Sequence, residues 1–548
     1  MMGKTKEDIT FFVKQRLYVI ALLVSAIMSY GYQITHSSLA IDDICVDLYY
    51  LDGFGVAIGR WPFFVLRHWF HLDGITNYIP FLVDFFAVIL MVLAAVIWSI
   101  YIKRIASCYQ IRIGVLAYSV FSCLFLSYSL IAQVWIYYLH NGIALGFVLV
   151  GISMLLMLSP FEDRSLFQVR YLKAELLSVV LVCIAASFYE SLMTVFLFGV
   201  CIFLLLAYYR ENRLDYKHVF SVIFRAFIVL VLAIILRSCI IRVITNIYGF
   251  SYIPRQAQIN GIIYTFSNLK SIIGNTVCDY LLLPEYQPIR LFMLCTLFGT
   301  IYLLVDAVMK KRVYLLIIGI FSFLSVFSCT LFMSSVLPYR TMQVLSVYVA
   351  FCMMIFAQKL CLFYHSNNYV KSIISVVSYI ILGITIWNNY CEINYSFYME
   401  YENCAYNMSK ISHIGHDLEK MGYNPEDEKV IIIGEATNNM PYPREEDMII
   451  EGTVWDRARK SVGALCNTSG EIRNYYQNVS NDVFNWALNA FGNQQQMVKL
   501  FRRVGYNINP YDYNEEIMSN IDVSTMPQYP MDGYIKKIGE VYVVNLNH

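Results

Sequence analysis

The chain has 548 residues, of which 58% are hydrophobic and only 14% are charged, and its mean hydropathy is +0.55. Soluble globular proteins are roughly half apolar and about a quarter charged, so this composition excludes an ordinary soluble enzyme. The net charge of +1 comes without a basic patch, which argues against nucleic acid as a partner.

Apolar runs of about 20 residues recur through the first 390 positions, and each is long enough to cross a bilayer as a helix. The predicted fold class is therefore a polytopic α-helical membrane protein. The predicted helices, eleven in all, lie near residues 15–35, 77–102, 111–131, 134–158, 172–188, 190–209, 218–246, 288–309, 312–334, 341–363 and 370–389. No small-residue cleavage site follows the first apolar run, so we expect that helix to be retained.

Charge is distributed unevenly along the chain. Residues 1–390 carry 27 Lys and Arg against 17 Asp and Glu, a balance of +10, whereas residues 391–548 carry 13 against 22, a balance of −9. The positive-inside rule predicts a cytoplasmic N-terminus, because these basic clusters between predicted helices share one side: Lys14/Arg16, Lys103/Arg104, Arg164/Arg170/Lys173, Arg210/Arg213/Lys217, Lys310/Lys311/Arg312 and Lys371. An odd number of helices then places the acidic C-terminal region outside.

The first predicted outer loop, residues 36–76, holds the most unusual polar pattern. Two adjacent carboxylates, Asp42 and Asp43, are followed by Arg60 and Trp61. The stretch that begins at Trp61, WPFFVLRHWFHL, is dense in aromatic residues and predicts a helix lying in the membrane interface. A second outer loop is predicted over residues 247–287.

The chain divides into a predicted membrane module, residues 1–390, and a predicted extracytoplasmic α/β domain, residues 391–548. The hydrophobic pattern of the second part indicates a polar helix, a buried strand, a second helix and a closing hairpin, near 392–421, 429–436, 481–506 and 533–546.

Ionisable residues inside membrane segments are costly, so they usually face a cavity, a partner or a water path. Here they crowd toward the outer face, the same face as the paired acids: Asp84, His140, Glu190, Arg237, Arg242 and, after Tyr339, Arg340. A transporter distributes polar residues across the bilayer, often at broken helices near its midplane. The pattern therefore favours chemistry at the outer surface over transport.

Most of these residues also have a purely structural interpretation. The two adjacent acids could cap a short loop helix. Glu190 could be solvated at a helix end, and His140 could be an internal polar group with a satisfied partner. Arg237 or Arg242 could simply pair with Asp84.

Together, the residues suit transfer of a group from a phosphate-linked lipid. A carboxylate at the interface can take the proton of an attacking hydroxyl, and a second adjacent acid raises its basicity by like-charge repulsion. Arginines can hold the departing phosphate by charge-assisted hydrogen bonds.

Several short motifs resemble the bacterial Gtr type II glucosyltransferases, which modify O-antigen and related surface polysaccharides. A paired Asp after the first membrane helix is followed by Gly-Arg-Trp, and Tyr189-Glu190 stands where the family more often has Tyr-Gln. Arg340-Thr341-Met342 and the tail MPQYPMDGYI, residues 526–535, also match.

The resemblance implies a GT-C architecture in which the first outer loop carries the catalytic acid. Asp42 or Asp43 would be the general base, with Arg60 and Arg340 contacting the donor phosphate. Glu190 would be a sugar hydroxyl ligand or a second acid. Beyond the resemblance, we expect Trp61, His140, Arg237 and Tyr339 to contact the donor phosphate or the substrate. The C-terminal domain would close over the site or bind the acceptor.

The resemblance also implies the partners and the location. The donor would be an undecaprenyl-phosphate-linked hexose, normally glucose, and the acceptor a cell-envelope polysaccharide or a lipid-linked glycan. The enzyme would lie in the bacterial cytoplasmic membrane and depend on a flippase and a polyprenyl-phosphate glucosyltransferase. No cofactor is expected because basic side chains hold the leaving phosphate, although the adjacent acids leave a divalent ion open.

Three alternatives remain from the sequence. A transporter or flippase of lipid-linked sugar would not consume its donor. A polysaccharide polymerase or ligase would normally carry a long loop between late helices rather than a terminal domain. A membrane-anchored receptor whose tail binds glycan would not need the charges of the outer face.

Overall fold

A computed structural model of the chain describes residues 2–39, 43, 53–71, 79, 81–128, 132–135, 140–163, 168–209, 211, 214–250, 270, 289–328, 341–364, 369–434, 454–466, 484, 487–488, 494–511 and 525–547. Asp42, Tyr339 and Arg340 lie outside the described residues, as does most of the predicted outer loop 247–287. The described part of the chain is mostly helical.

The helices of the first 420 residues, in chain order, are α1 (Met2–Lys14), α2 (Arg16–Thr35), α3 (Phe54–Ala57), α4 (Trp61–His68), α5 (Leu82–Cys108), α6 (Val115–Leu126), α7 (Ala132–Trp135), α8 (His140–Glu162), α9 (Leu172–Phe188), α10 (Leu192–Ala207), α11 (Tyr216–Tyr248), α12 (Ile289–Met309), α13 (Val313–Val326), α14 (Val344–Tyr364) and α15 (Tyr369–Lys420). The remaining elements are β1 (Lys429–Gly434), α16 (Val454–Cys466), α17 (Gln495–Arg503), β2 (Ile535–Ile538) and β3 (Val541–Asn547).

Seven of the described helices are long and apolar enough to cross a membrane, namely α2, α5, α8, α9 with the short turn before it, α11, α14 and α15. Four more described helices are apolar but shorter, within α6, α10, α12 and α13. These helices give the chain the architecture of a polytopic helical membrane protein, as predicted. The number of crossings, eleven, stays a prediction.

The chain forms two compact units, one of residues 1–35, 49–395 and 445–473, and the other of residues 36–48, 396–444 and 474–548. In the first unit, α8 and α14 are mostly buried, whereas α11 exposes much of its apolar surface. Apolar side chains that face outward in this way suit contact with lipid tails. The domain boundary predicted at residue 390 stays a prediction.

Hydrogen bonds between helices support the packing of the first unit. The Tyr18 hydroxyl of α2 donates to Ser99 Oγ of α5 at 3.0 Å and accepts from Ser122 Oγ of α6 at 3.1 Å. All three side chains are buried. Because lipid tails offer no hydrogen bonds, such pairs fix which faces of apolar helices meet.

The second unit contains a three-stranded sheet in the order β1-β3-β2, with β1 parallel and β2 antiparallel to β3. The tail motif packs this sheet against α15. The Tyr534 hydroxyl donates to Asp417 at 2.9 Å, while Asn545 Nδ2 of β3 donates to the carbonyl of Met526 at 3.1 Å. Burial and the neighbouring Asp417 carboxylate raise the pKa of Tyr534, so it stays a neutral donor. The tail therefore has a packing role within this unit.

The open edge of β1 is closed by other parts of the second unit. Val430 exchanges backbone hydrogen bonds with residues 509 and 511, each at 2.8 Å. The Gln494 side chain accepts from the Ile432 N–H at 3.1 Å and donates to its carbonyl at 2.7 Å. A side-chain amide thus takes the place of a neighbouring strand, which satisfies backbone groups that would otherwise be buried without partners.

Replacing Gln494 should destabilise the protein. Gln494→Ala leaves the N–H and the carbonyl of Ile432 unpaired, at a cost of about 1–3 kcal/mol. We expect a lower midpoint in thermal unfolding of the full-length protein in detergent. The neighbouring Gln495 is exposed, so Gln495→Ala serves as the control and should unfold near the wild-type midpoint. Equal midpoints for wild type and Gln494→Ala would contradict this role.

Candidate active site

A tight turn positions the Gly-Arg-Trp motif. Gly59 adopts a left-handed conformation with φ +93° after α3, and the backbone N–H of Arg60 bonds back to the Gly55 carbonyl at 2.7 Å. Helix α4 then begins at Trp61, with Pro62 in its first turn, where the missing N–H costs little. Helix α3 therefore ends before the turn at Gly59, and α4 begins directly after Arg60.

The buried face of α4 holds this helix against α11. Val56, Phe64 and Val65 form a buried cluster with Ile244 of α11, and Trp61 packs against it. At the end of α4, Trp69 and Phe70 are 47% and 62% exposed. An amphipathic helix with exposed aromatic residues at one end suits the surface of a membrane.

Arg237 of α11 connects three parts of the first unit. Its Nη2 atom donates to Glu190 Oε1 at 2.8 Å and to the Gly59 carbonyl at 3.2 Å. Glu190 lies in the break between α9 and α10, near the boundary that the sequence predicted between helices 172–188 and 190–209. The sequence alternative of a pair between Arg237 and Asp84 is wrong, because Arg237 contacts Glu190 instead.

A glycine at position 59 is required by this contact. A Cβ atom added there would lie 2.0 Å from Arg237 Nη2, far inside any allowed distance. The left-handed backbone also disfavours other residues at this position. The sequence indicated Gly59 only as part of the Gly-Arg-Trp motif. That a glycine directly precedes Arg60 was the one feature of the sequence that could have indicated a close contact at this position.

Arg60 and Trp61 lie beside the same break between helices. The Arg60 guanidinium is 5.1 Å from the ring centroid of Tyr189, within the range of a cation–π interaction. Tyr189 directly precedes Glu190, so the Tyr-Glu motif supplies one contact to each arginine. The structure therefore brings together Arg60, Glu190 and Arg237, all of which the sequence singled out.

Three N–H groups in this cluster are buried and have no hydrogen-bond partner among the described residues: Arg60 Nε, Trp61 Nε1 and Arg237 Nε. Buried donors are nearly always paired in proteins, so each unpaired one requires an explanation. All three are donors, and two belong to guanidinium groups. The chemistry that satisfies such a set is an anion or another strong acceptor.

His140 lies in a different environment, at the start of α8. Its Nε2 atom is 3.0 Å from Asp84 Oδ1 of α5, and these side chains are 1% and 0% exposed. The Trp135 ring stacks on His140 with centroids 4.8 Å apart, and Tyr30 stacks on Trp135 at 4.3 Å. This arrangement suits an internal polar pair that fixes α5 against α8, and sequence reasoning did not identify Trp135 as part of it.

Asp43 belongs to the second unit and is 5% exposed. Its neighbour Asp42 lies outside the described residues, as do the phosphate-contact candidates Tyr339 and Arg340. Within the described residues, no group of three or more His, Cys, Asp or Glu side chains is arranged to hold a metal ion.

Comparison with known protein families identifies the chain. The family model for glucosyl transferase GtrII matches residues 31–357, which is more than half of the sequence. The chain belongs to this family. The match confirms the resemblance predicted from the motifs, and it indicates that the protein is a membrane glucosyltransferase. Comparisons with curated proteins and with solved structures gave no significant match.

The region matched to the GtrII family includes the paired acids, the Gly-Arg-Trp motif, Glu190, Arg237 and Arg340, and it ends before the predicted C-terminal domain. The cluster around Arg237 therefore lies within the family region. The sheet of the second unit and its tail motif lie outside it.

Gly59→Ala should impair this glucosyltransferase through its contact with Arg237. The added methyl must displace the guanidinium, and a small misplacement of a binding group lowers the rate by about tenfold or more. The measurement is glucosyl transfer per molecule of purified protein.

Gly249→Ala provides a matched control for this variant. Gly249 also has a positive φ of +70°, but a Cβ atom there contacts nothing within 4 Å. Both substitutions therefore strain the backbone, whereas only Gly59→Ala disturbs Arg237. If the two variants lose the same activity, the Arg237 contact has no special importance.

Proposed function

We propose that the protein transfers a hexose from undecaprenyl phosphate to a cell-envelope polysaccharide or lipid-linked glycan, and that this hexose is glucose. The reaction takes place at the outer face of the bacterial cytoplasmic membrane, on a GT-C scaffold with a cytoplasmic N-terminus. Membership in the GtrII family supports the transferase class. The charge asymmetry of the chain supports the orientation.

The observation that carries the donor assignment is the set of unpaired buried N–H groups on Arg60, Trp61 and Arg237. A phosphate monoanion or dianion offers several strong acceptor oxygens to such a set. A glucosyl phosphodiester presents a phosphate between the sugar and the prenyl chain. The exposed aromatic end of α4, at Trp69 and Phe70, is suited to the apolar chain of the same donor.

Glu190 has a supporting role in this proposal. Its carboxylate holds Arg237 from the side of the α9–α10 break and leaves the Nε side of the guanidinium for the donor. A carboxylate in place of the family's more common amide gives a stronger, charge-assisted bond to the arginine. Arg340 and Tyr339 act as further phosphate contacts, and the pair of His140 with Asp84 fixes α5 against α8.

Asp42 or Asp43 acts as the general base. The acceptor hydroxyl oxygen attacks the anomeric carbon, its proton passes to the carboxylate, and the bond between that carbon and the phosphate oxygen breaks. Undecaprenyl phosphate leaves with the bonding electrons and is stabilised by the arginines. A single displacement of this kind inverts the anomeric configuration.

The general base is tested with Asp42→Asn and Asp43→Asn. Loss of the base should lower kcat by about a hundredfold or more in at least one of them, with the donor KM little changed. The assay is release of undecaprenyl phosphate from undecaprenyl-phosphate-glucose by purified protein in detergent. Asp52→Asn, in the same loop, is the control and should retain its rate.

Two other results would contradict this mechanism. Full activity in both Asp42→Asn and Asp43→Asn would exclude a carboxylate base at these positions. A wild-type protein that binds the donor without releasing undecaprenyl phosphate, at any acceptor concentration, would instead indicate a transporter or flippase.

The phosphate site is tested with Arg60→Ala. Removing one charged donor should raise the donor KM by about tenfold, because a hydrogen bond to a charged group contributes about 1.5–3 kcal/mol. Arg60→Lys should recover only part of this effect, since a lysine lacks the planar fork of the guanidinium.

Arg67→Ala is the control for Arg60, since both arginines lie at the ends of α4. Arg67 should affect the donor KM much less. A larger increase in the donor KM for Arg67→Ala than for Arg60→Ala would indicate that the donor phosphate binds at the Arg67 end of α4 instead.

A further inference from the structure

Helix α1 precedes the first membrane-spanning helix, α2, and the proposed reaction does not use it. The two helices are separated at Gln15, whose backbone N–H bonds to the Phe12 carbonyl at 3.1 Å. The Phe12 ring packs against the Tyr18 ring of α2 with centroids 4.7 Å apart. Neighbours on the surface of a straight helix are three or four residues apart, whereas these two are six apart. The chain therefore bends between α1 and α2.

One face of α1 is attached to the neighbouring helices of the first unit. The buried Asp8 carboxylate accepts hydrogen bonds from Lys103 Nζ of α5 at 2.5 Å and from Arg104 Nε at 2.7 Å. One turn further along, the buried Phe12 ring lies edge-on to the Tyr118 ring of α6 at 5.2 Å. These contacts fix the rotation of α1 about its axis, so they also determine which side chains face outward.

The adjacent face of α1 is apolar and exposed. Ile9 and Val13, four residues apart on the helix, are 45% and 65% exposed. Exposed apolar side chains continue beyond the bend, at Leu17 and Ile20 in the first turns of α2. Because α2 is long and apolar enough to span a membrane, its outward-facing side chains contact lipid. The apolar face of α1 thus adjoins a surface that lipid already covers.

Basic side chains lie beside this apolar face. Lys6, Lys14 and Arg16 are exposed, and Glu7 is the one exposed acid within residues 6–20, which leaves an excess of two positive charges. The basic residues of α5 are already bonded to the acid of α1, so these exposed groups supply the attraction for an anion. An amphipathic helix with lysines beside its apolar face is typical of helices that lie in a membrane surface.

We propose that α1 is an anchor that lies in the membrane surface and binds anionic phospholipids. Ile9 and Val13 enter the boundary between headgroups and acyl chains, while Lys6 and Lys14 contact the lipid phosphates. The bend at Gln15 turns α1 along the surface where α2 enters the bilayer. With the orientation proposed above, this surface is the cytoplasmic leaflet, and the inference takes only that choice of leaflet from the proposed function.

A photo-crosslinker tests which face of α1 contacts lipid. Val13→p-benzoylphenylalanine and Thr10→p-benzoylphenylalanine are each made in the full-length protein, in nanodiscs with equal amounts of phosphatidylglycerol and phosphatidylcholine. Thr10 is the matched control because it is exposed between Lys6 and Lys14, on the polar face. After illumination, mass spectrometry should find lipid attached at position 13 and little or none at position 10. Equal lipid attachment at both positions, or attachment of position 13 to protein, would overturn the proposal.

The charge of the bound lipid is tested with the same crosslinker at position 13. Phosphatidylglycerol should be attached about fivefold or more in excess of phosphatidylcholine, because each basic residue near the surface contributes about a fivefold preference for anionic lipid. Adding Lys6→Gln and Lys14→Gln should bring the ratio close to one. Lys536→Gln is the control, since Lys536 is exposed in the second unit, and it should leave the ratio unchanged.

Two outcomes of this second test would contradict the anionic preference. One is equal attachment of the two lipids before either lysine is replaced, and the other is an unchanged ratio after both are replaced. Both crosslinking measurements are independent of sugar transfer. Absence of glucosyl transfer would therefore contradict the proposed function alone.

Discussion

The contact of Arg237 with Glu190 and Gly59 is the constraint on which the candidate active site depends. A single guanidinium on α11 holds the break between α9 and α10 and the turn that precedes α4. Because Glu190 neutralises its charge, Arg237 can be largely buried without the penalty of an isolated cation. The Nε atom of Arg237 takes no part in these contacts, and like Arg60 Nε and Trp61 Nε1 it is buried without a hydrogen-bond partner among the described residues.

The buried side-chain groups of Arg60, Trp61 and Arg237 that have no hydrogen-bond partner among the described residues are all N–H donors. Such donors suit a leaving phosphate, because a displacement reaction moves negative charge onto the phosphate oxygen.

Hydropathy was sufficient to predict the helical membrane architecture, because apolar runs of spanning length have few other solutions. The motifs around Arg60 and Glu190 also identified the family correctly. The partner of Arg237 was not predictable, since it depends on how far each helix is rotated about its axis, and hydropathy does not specify rotation. The burial of Glu400 was not predictable for a related reason. It lies in a polar stretch, where the sequence does not distinguish a solvated face of α15 from a buried one.

The strand order of the second unit has a consequence for biogenesis. The central strand, β3, begins at residue 541, whereas its parallel neighbour β1 begins at residue 429. Until β3 has been synthesised and delivered, β1 has only side-chain and loop partners, and β2 has none in the sheet. The sheet can therefore be completed only after all the helices of the first unit have been synthesised. A chain whose synthesis stops before residue 541 would contain all the apolar helices but would lack β3. The apolar residues 430–433 of β1 would then have no neighbouring strand, which favours aggregation.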